Sequence, residues 1–116
     1  MEPAYRYRAL ISRIIDADTL DARIDVGFRM YAEVPLRLYA IDAPEARSAA
    51  GQAAADFTMH WLAERMGQVI VATYKAPEKY GRWLAEVHDP MSGETLNEAL
   101  LRTGHAKAWH GRGPRP

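Results

Sequence analysis

The chain has 116 residues and a mass of 13.0 kDa, the size of one ordinary domain. Fifteen basic against fifteen acidic side chains give a formal net charge of zero, which excludes adhesion to nucleic acid or membrane by bulk positive charge. There is no cysteine, so disulfides, zinc thiolates and thiol nucleophiles are excluded too.

Tyr5 to Ile15 is rich in strand formers, with polar residues recurring at roughly alternate positions, and reads as a first strand. Asp16-Ala17-Asp18 is a short turn. Thr19 to Val26 follows as a second strand, with Leu20, Ala22, Ile24 and Val26 on one face. Gly27 breaks it. A third strand runs from about Ala32 to Ile41, where Pro35 is tolerable only at an edge or bulge. Three strands with short connections predict an antiparallel meander. From Ser48 to Met66 the spacing of Ala54, Phe57, Trp61 and Leu62 predicts a helix, capped by Ser48 and stopped by Gly67. Val69 to Tyr74 and Trp83 to His88 are the fourth and fifth strands, with Trp61 and Trp83 expected in the core. The turn Asp89-Pro90-Met91-Ser92-Gly93 leads to a short helix, Leu96 to Thr103, ended by Gly104. His110 to Pro116 is loop by composition.

Five short strands, one helix after the third and a short helix near the C-terminus predict an α+β protein built on a five-stranded OB-fold β-barrel, one domain over residues 1–116. No apolar run approaches the ~20 residues a bilayer span requires. The first residues lack the continuous apolar segment of a signal peptide. The expected location is therefore the cytoplasm, with no membrane partner.

Three clusters carry the chemistry: Asp16-Ala17-Asp18-Thr19, Arg37 through Glu45, and Lys79-Tyr80-Gly81-Arg82. Asp18 and Asp42 are hard oxygen donors suited to calcium. Arg37 and Arg82 are forks that match phosphate oxygens. Glu45, just past the third strand, can take a proton from water. Together these are the parts that metal-assisted phosphodiester hydrolysis requires. Singly each has a plain reading: turn aspartates cap their own backbone, Asp42-Ala43-Pro44-Glu45 is a proline turn, and Arg82 is a solvated charge. An EF-hand is excluded, because Leu20 and Asp21 stand at its fifth and sixth positions.

In this order and spacing, the clusters resemble the staphylococcal nuclease family. The likeness continues through Gly51-Gln52-Ala53-Ala54, Tyr80-Gly81-Arg82, Asn97-Glu98-Ala99-Leu100 and Gly104-His105-Ala106, covering about Tyr5 to Ala108. The resemblance implies a calcium-dependent nuclease that hydrolyses DNA and RNA with little sequence preference, leaving 3′-phosphates. It implies calcium held by Asp18, Asp42 and the main-chain carbonyl of Ala43. Glu45 would act as general base, and Arg37 and Arg82 would bind the phosphate and stabilise the transition state. Lys79 and Tyr80 match positions that contact a terminal phosphate. Trp109 and His110 fall near the family's base-stacking tyrosines; Trp109 alternatively plugs the barrel. Ala17 replaces the family's usual Gly, so the turn either avoids positive φ or is strained. The family's third helix has no counterpart in Gly111 to Pro116, so either the barrel manages without it or a partner surface, as in an oligomer, covers the exposed patch, and short forms of this kind resemble phage-associated members.

Ala99 to Pro116 carries Arg102, Lys107, Arg112 and Arg115 and no acidic residue, a stretch that either follows phosphates or is simply solvated. His60, His88, His105 and His110 lack zinc-site spacing. No glycine-rich phosphate loop is present, so no nucleotide triphosphate is expected. The alternative function is a non-catalytic OB-fold module that binds single-stranded nucleic acid.

Overall fold

The computed structural model describes residues 2–109. Strand β1 (Tyr5–Asp16) pairs antiparallel with β2 (Thr19–Asp25), and β2 pairs antiparallel with β3 (Tyr31–Leu38), which is the expected meander. Helix α1 (Ala49–Ala63) lies between the two-residue strand β4 (Ile41–Asp42) and β5 (Gln68–Pro77). Strand β6 (Trp83–His88), helix α2 (Leu96–Arg102) and the short strand β7 (Lys107–Ala108) complete the described chain. The barrel closes in the order β1-β2-β3-β6-β5, with β5 returning to β1, so the OB-type five-stranded barrel is present. Among the described residues no helix is long and apolar enough to cross a membrane.

Alternation builds the core. Leu20, Ala22 and Ile24 of β2 point inward against Leu36 and Leu38 of β3, Val69 and Val71 of β5 and Val87 of β6. Val26 does not continue that face: it lies past the end of β2 and is exposed. There the chain reverses through Phe28 and Arg29, both at positive φ (58° and 60°). Helix α1 buries Ala54, Thr58, Trp61 and Leu62, which recur at the spacing of one helical face. The Ser48 hydroxyl accepts from the Gly51 amide as the predicted N-cap. The helix ends before Met66, because Met66 and Gly67 both turn left-handed (φ 53° and 73°) and the Gly67 amide bonds back to Leu62. Trp61 is core, whereas Trp83 is only partly buried against it.

The third strand is shorter than its apolar pattern suggests. It stops at Leu38, and Ala40 takes a left-handed conformation (φ 68°) in the turn Tyr39–Ala40. Ile41 and Asp42 then leave the barrel and pair with Ala108 and Lys107 in a separate two-stranded sheet. Pro35 sits one residue ahead of the ladder to β6, which begins at Leu36, so its missing N–H is at an edge on that side. That ladder is parallel, Leu36 to Trp83 and Arg37 to Leu84. Parallel pairing sets Trp83 to Ala85, at the start of β6, beside Leu36 to Leu38 at the end of β3.

A buried asparagine ties these parts together. The Asn97 side-chain amide donates to the carbonyls of Tyr39 (3.1 Å) and Ala85 (3.0 Å), and its oxygen accepts from the Val87 amide (3.1 Å). One side chain of α2 thereby joins β6 to the turn after β3. Asn97→Leu keeps the volume but leaves the Val87 N–H and the Tyr39 carbonyl without this partner, at about 1–3 kcal/mol each, while the Ala85 carbonyl keeps its bond from the Tyr39 amide. Urea unfolding should show a loss of about 2–4 kcal/mol; a loss below about 1 kcal/mol would mean that the brace is dispensable.

Candidate active site

Three loops meet at one end of the barrel. The first is the β1–β2 turn. Ala17 avoids positive φ, its side chain is fully buried, and its carbonyl accepts from the Thr58 hydroxyl of α1 at 3.1 Å. Packing against the helix thus holds this turn in place of the freedom a glycine would supply. On either side of Ala17 stand two aspartates with different tasks. Asp16 accepts from the Ala46 amide at 2.7 Å and fixes the loop after β4. Asp18 is almost wholly buried. One of its oxygens accepts from the Ala43 amide (2.7 Å) and the other from the Thr19 hydroxyl (3.1 Å).

Arg37 bridges two carboxylates. Its Nη1 lies 2.6 Å from Asp18 Oδ2 and its Nη2 lies 3.0 Å from Asp42 Oδ1, with only 9% of the arginine side chain exposed. The two buried carboxylates thus share one guanidinium. Burial pushes the Asp18 carboxyl above the usual aspartate range, further raised by Asp42 and opposed by Arg37 and the Ala43 amide. Hard oxygen donors of this kind suit calcium, so Asp18 and Asp42 fit the metal implied by the sequence. Among the described residues no cluster of three or more His, Cys, Asp or Glu side chains could hold a metal, and Asp18 and Asp42 supply two carboxylates.

The second loop carries Glu45. Its backbone carbonyl accepts from the Ser48 amide (3.0 Å) and hydroxyl (2.8 Å), which clamps the loop on the start of α1. A Cβ at Gly51 would overlap that carbonyl, so glycine is required for the helix to approach this closely. The Glu45 side chain itself is 58% exposed and pairs with the still more exposed Arg47 at 2.9 Å. Exposed pairs of this kind are weak, so the carboxylate is available to other partners.

The third loop runs from Glu78 to Arg82. The Arg82 guanidinium is held by Glu78 through Nε (3.2 Å) and Nη2 (3.1 Å). Lys79 places its ammonium 5.0 Å from the Tyr80 ring, and Tyr80 is 71% exposed. Glu78 escaped the sequence reading, although an acidic residue three positions before Gly81 is a usable sign of a capped turn.

These loops surround one groove of about 780 Å³, lined by Asp16, Asp18, Arg37, Ala43, Glu45, Glu78, Lys79, Tyr80, Arg82 and Trp109. Asp42 joins it through Arg37. Trp109 is half-buried; its amide bonds the Ala40 carbonyl at 2.9 Å, and the Arg37 guanidinium lies 5.9 Å from its ring centre. His110 and residues 110–116, expected as a loop, lie outside the described residues. Of the other site candidates named from the sequence, Asp18, Arg37, Ala43, Glu45, Lys79, Tyr80, Arg82 and Trp109 line the groove, and Asp42 pairs with Arg37.

Comparison with known proteins agrees with the geometry. The family model for staphylococcal nuclease homologues matches residues 35–115. The chain is 30% identical over 96 residues, 83% of its length, to a protein named "Uncharacterized endonuclease" of Escherichia coli O157:H7. It is equally similar to a protein of the same name from Escherichia coli, and in both cases the match covers 57% of the relative. It is also 32% identical over 118 residues to "Protein ParB" of Escherichia coli, covering 94% of this chain and 62% of that protein. The chain therefore spans less than two thirds of the length of these relatives.

The raised Asp18 carboxyl has a consequence for stability. A folded-state value above the unfolded one favours the protonated fold, so this contribution is present in acid and is lost as pH rises through the folded value. Asp18→Asn removes it. Urea titrations in chelator at pH 4 and pH 8 should show the variant gaining on wild type as pH rises. A constant difference between the two proteins would refute the shift.

Proposed function

The chain belongs to the staphylococcal nuclease family, and on that premise we propose that it is a calcium-dependent nuclease acting on phosphodiester bonds of DNA and RNA with little sequence preference. One observation carries this reading: two guanidiniums, an exposed carboxylate and the buried Asp18 line a single groove, with Asp42 paired to Arg37. A binder of nucleic acid needs the cations but neither the buried aspartate pair nor a proton acceptor beside it.

In this reading Glu45 takes a proton from the attacking water, whose oxygen bonds to phosphorus as the bond from phosphorus to the 5′-oxygen breaks. The phosphate stays on the 3′-oxygen, and the departing 5′-oxygen is protonated from solvent. Arg82, presented from the 78–82 loop, and Arg37, at the groove floor, meet the charge that accumulates on the phosphate oxygens. Asp18, Asp42 and the Ala43 carbonyl would hold calcium, which would supply charge neutralisation for the phosphate. Lys79 and Tyr80 contact a further phosphate, and Trp109 offers a ring against which a base can stack. A stacked base is worth about 1–3 kcal/mol.

Incubation with plasmid DNA and with RNA tests the proposal directly. Cleavage should cease in EDTA and return with excess calcium; full activity in chelator would refute the metal assignment. Binding without cleavage under every condition would support the non-catalytic module instead. Glu45→Gln removes the basic oxygen while preserving shape, and should lower the rate by about 10²–10⁴-fold with affinity largely retained. A near-wild-type rate would assign the water to another group. Arg37→Lys conserves charge but supplies no planar fork, so it should lose about 10²–10³-fold in rate. A change within a few-fold would reduce Arg37 to a counter-ion of the two aspartates.

A further inference from the structure

Glu78 has no role in the proposed chemistry, yet it is the most heavily bonded carboxylate in the groove. Its Oε1 accepts from three donors: the Tyr80 amide (2.9 Å), the Arg82 amide (3.1 Å) and Arg82 Nε (3.2 Å). Its Oε2 accepts from Arg82 Nη2 (3.1 Å). The backbone closes the same loop, with the Glu78 amide donating to the Arg82 carbonyl (2.7 Å) and the Gly81 amide to the Glu78 carbonyl (2.9 Å). Gly81 at φ 84° makes that closure possible without a Cβ penalty. These bonds, the side-chain bond from Arg82 first, hold the Glu78 carboxyl below the usual glutamate range.

A guanidinium has two edges that can receive a pair of oxygens. Glu78 takes the edge formed by Nε and Nη2. The edge formed by Nη1 and Nη2 is left to face other partners. A free arginine on a loop would sample many rotamers and spend part of its binding energy on being ordered. Held by one edge on a closed loop, it is ordered before the substrate arrives.

We propose that Glu78 is the positioning residue of the active site: it holds Arg82 by the Nε/Nη2 edge of its guanidinium, so that the adjacent Nη1/Nη2 edge is preset for the phosphate undergoing hydrolysis. The inference rests on the nuclease reading of the same groove and deepens it. Glu78 never touches the substrate; it acts through Arg82. The same carboxylate, through the Tyr80 amide, also sets the loop that presents Lys79 and Tyr80. Positioning of the cation and positioning of the loop are separable by substitution. Glu78→Gln retains one oxygen for the two amides but loses the charged two-point grip on the guanidinium.

The experiment measures kcat and KM on a single-stranded DNA oligonucleotide for wild type, Glu78→Gln, Arg82→Lys and the double variant, with the melting temperature of each. Misplacement of a reacting group by about an ångström costs up to about 10²-fold, so Glu78→Gln should lower kcat by about 10–100-fold. KM should stay within about threefold, because Arg82 is assigned to the transition state rather than to general affinity. In the Arg82→Lys background the same substitution should cost less than about threefold, since its target is gone. A purely structural role predicts equal losses in both backgrounds, tracking the melting temperature, and that outcome overturns the inference. A kcat for Glu78→Gln within about twofold of wild type overturns it too. Wild type that binds but never cleaves would count against the nuclease reading instead. In that case the Arg82 Nε–H proton signal, slow to exchange in wild type and fast in Glu78→Gln, still supports the held guanidinium, and fast exchange in both proteins refutes it.

Discussion

The Asp18–Arg37–Asp42 bridge is the interaction on which the rest of this structure depends. Burying one guanidinium between two carboxylates is not a cheap way to gain stability, because desolvation offsets most of the attraction. Its value lies in specification. Asp18 comes from the turn after β1, Arg37 from the end of β3, and Asp42 from the far side of the Tyr39–Ala40 turn. One cation therefore sets the mutual distance of three chain segments. The Ala43 amide on Asp18 extends the same network into the loop that carries Glu45.

Around this bridge, each loop is held from outside by a group with no chemistry of its own. Thr58 of α1 pins Ala17, Asp16 pins Ala46, Ser48 pins the Glu45 carbonyl, and Asn97 of α2 pins Tyr39. The left-handed Ala40 is a local cost, of the order of 1–2 kcal/mol. It persists because Trp109 bonds the Ala40 carbonyl while β4 pairs with β7. Strain of this kind survives only where surrounding contacts over-determine the conformation. Here that conformation is what returns Asp42 to Arg37.

The charged groups of the groove differ in how firmly they are held, and the difference suits the tasks proposed for them. Arg37 is buried and doubly paired, Arg82 is half-buried and gripped by one edge, and Glu45 is exposed on a rim. A cation meant to meet developing charge gains from being fixed beforehand. A proton acceptor gains from contact with water. A chain of zero net charge can thus present a strongly polar groove without a basic surface, because the charges are segregated locally rather than in bulk.

The sequence by itself determined the five barrel strands, both helices and most of the side chains that line the groove. Those features are local. Alternation in Leu20, Ala22 and Ile24 reports a strand face, Ser48 reports a helix start, and the paired aspartates and arginines report their own chemistry. Only the tertiary structure decided where the third strand ends, because Ile41 has the same apolar character as Leu38 but finds its partner in Ala108. Only the tertiary structure joined β3 to β6 in parallel, which is what brings Arg82 to the end of the barrel that holds Arg37. It also decided the partners of each charge. Glu45 and Glu78 are the same residue type in similar turn settings, yet one is left on the rim beside Arg47 and the other is closed around Arg82. Residue type and spacing carry what a side chain can do. Which of its possible partners it meets depends on contacts between segments far apart in the chain, and those exist only once the barrel has closed.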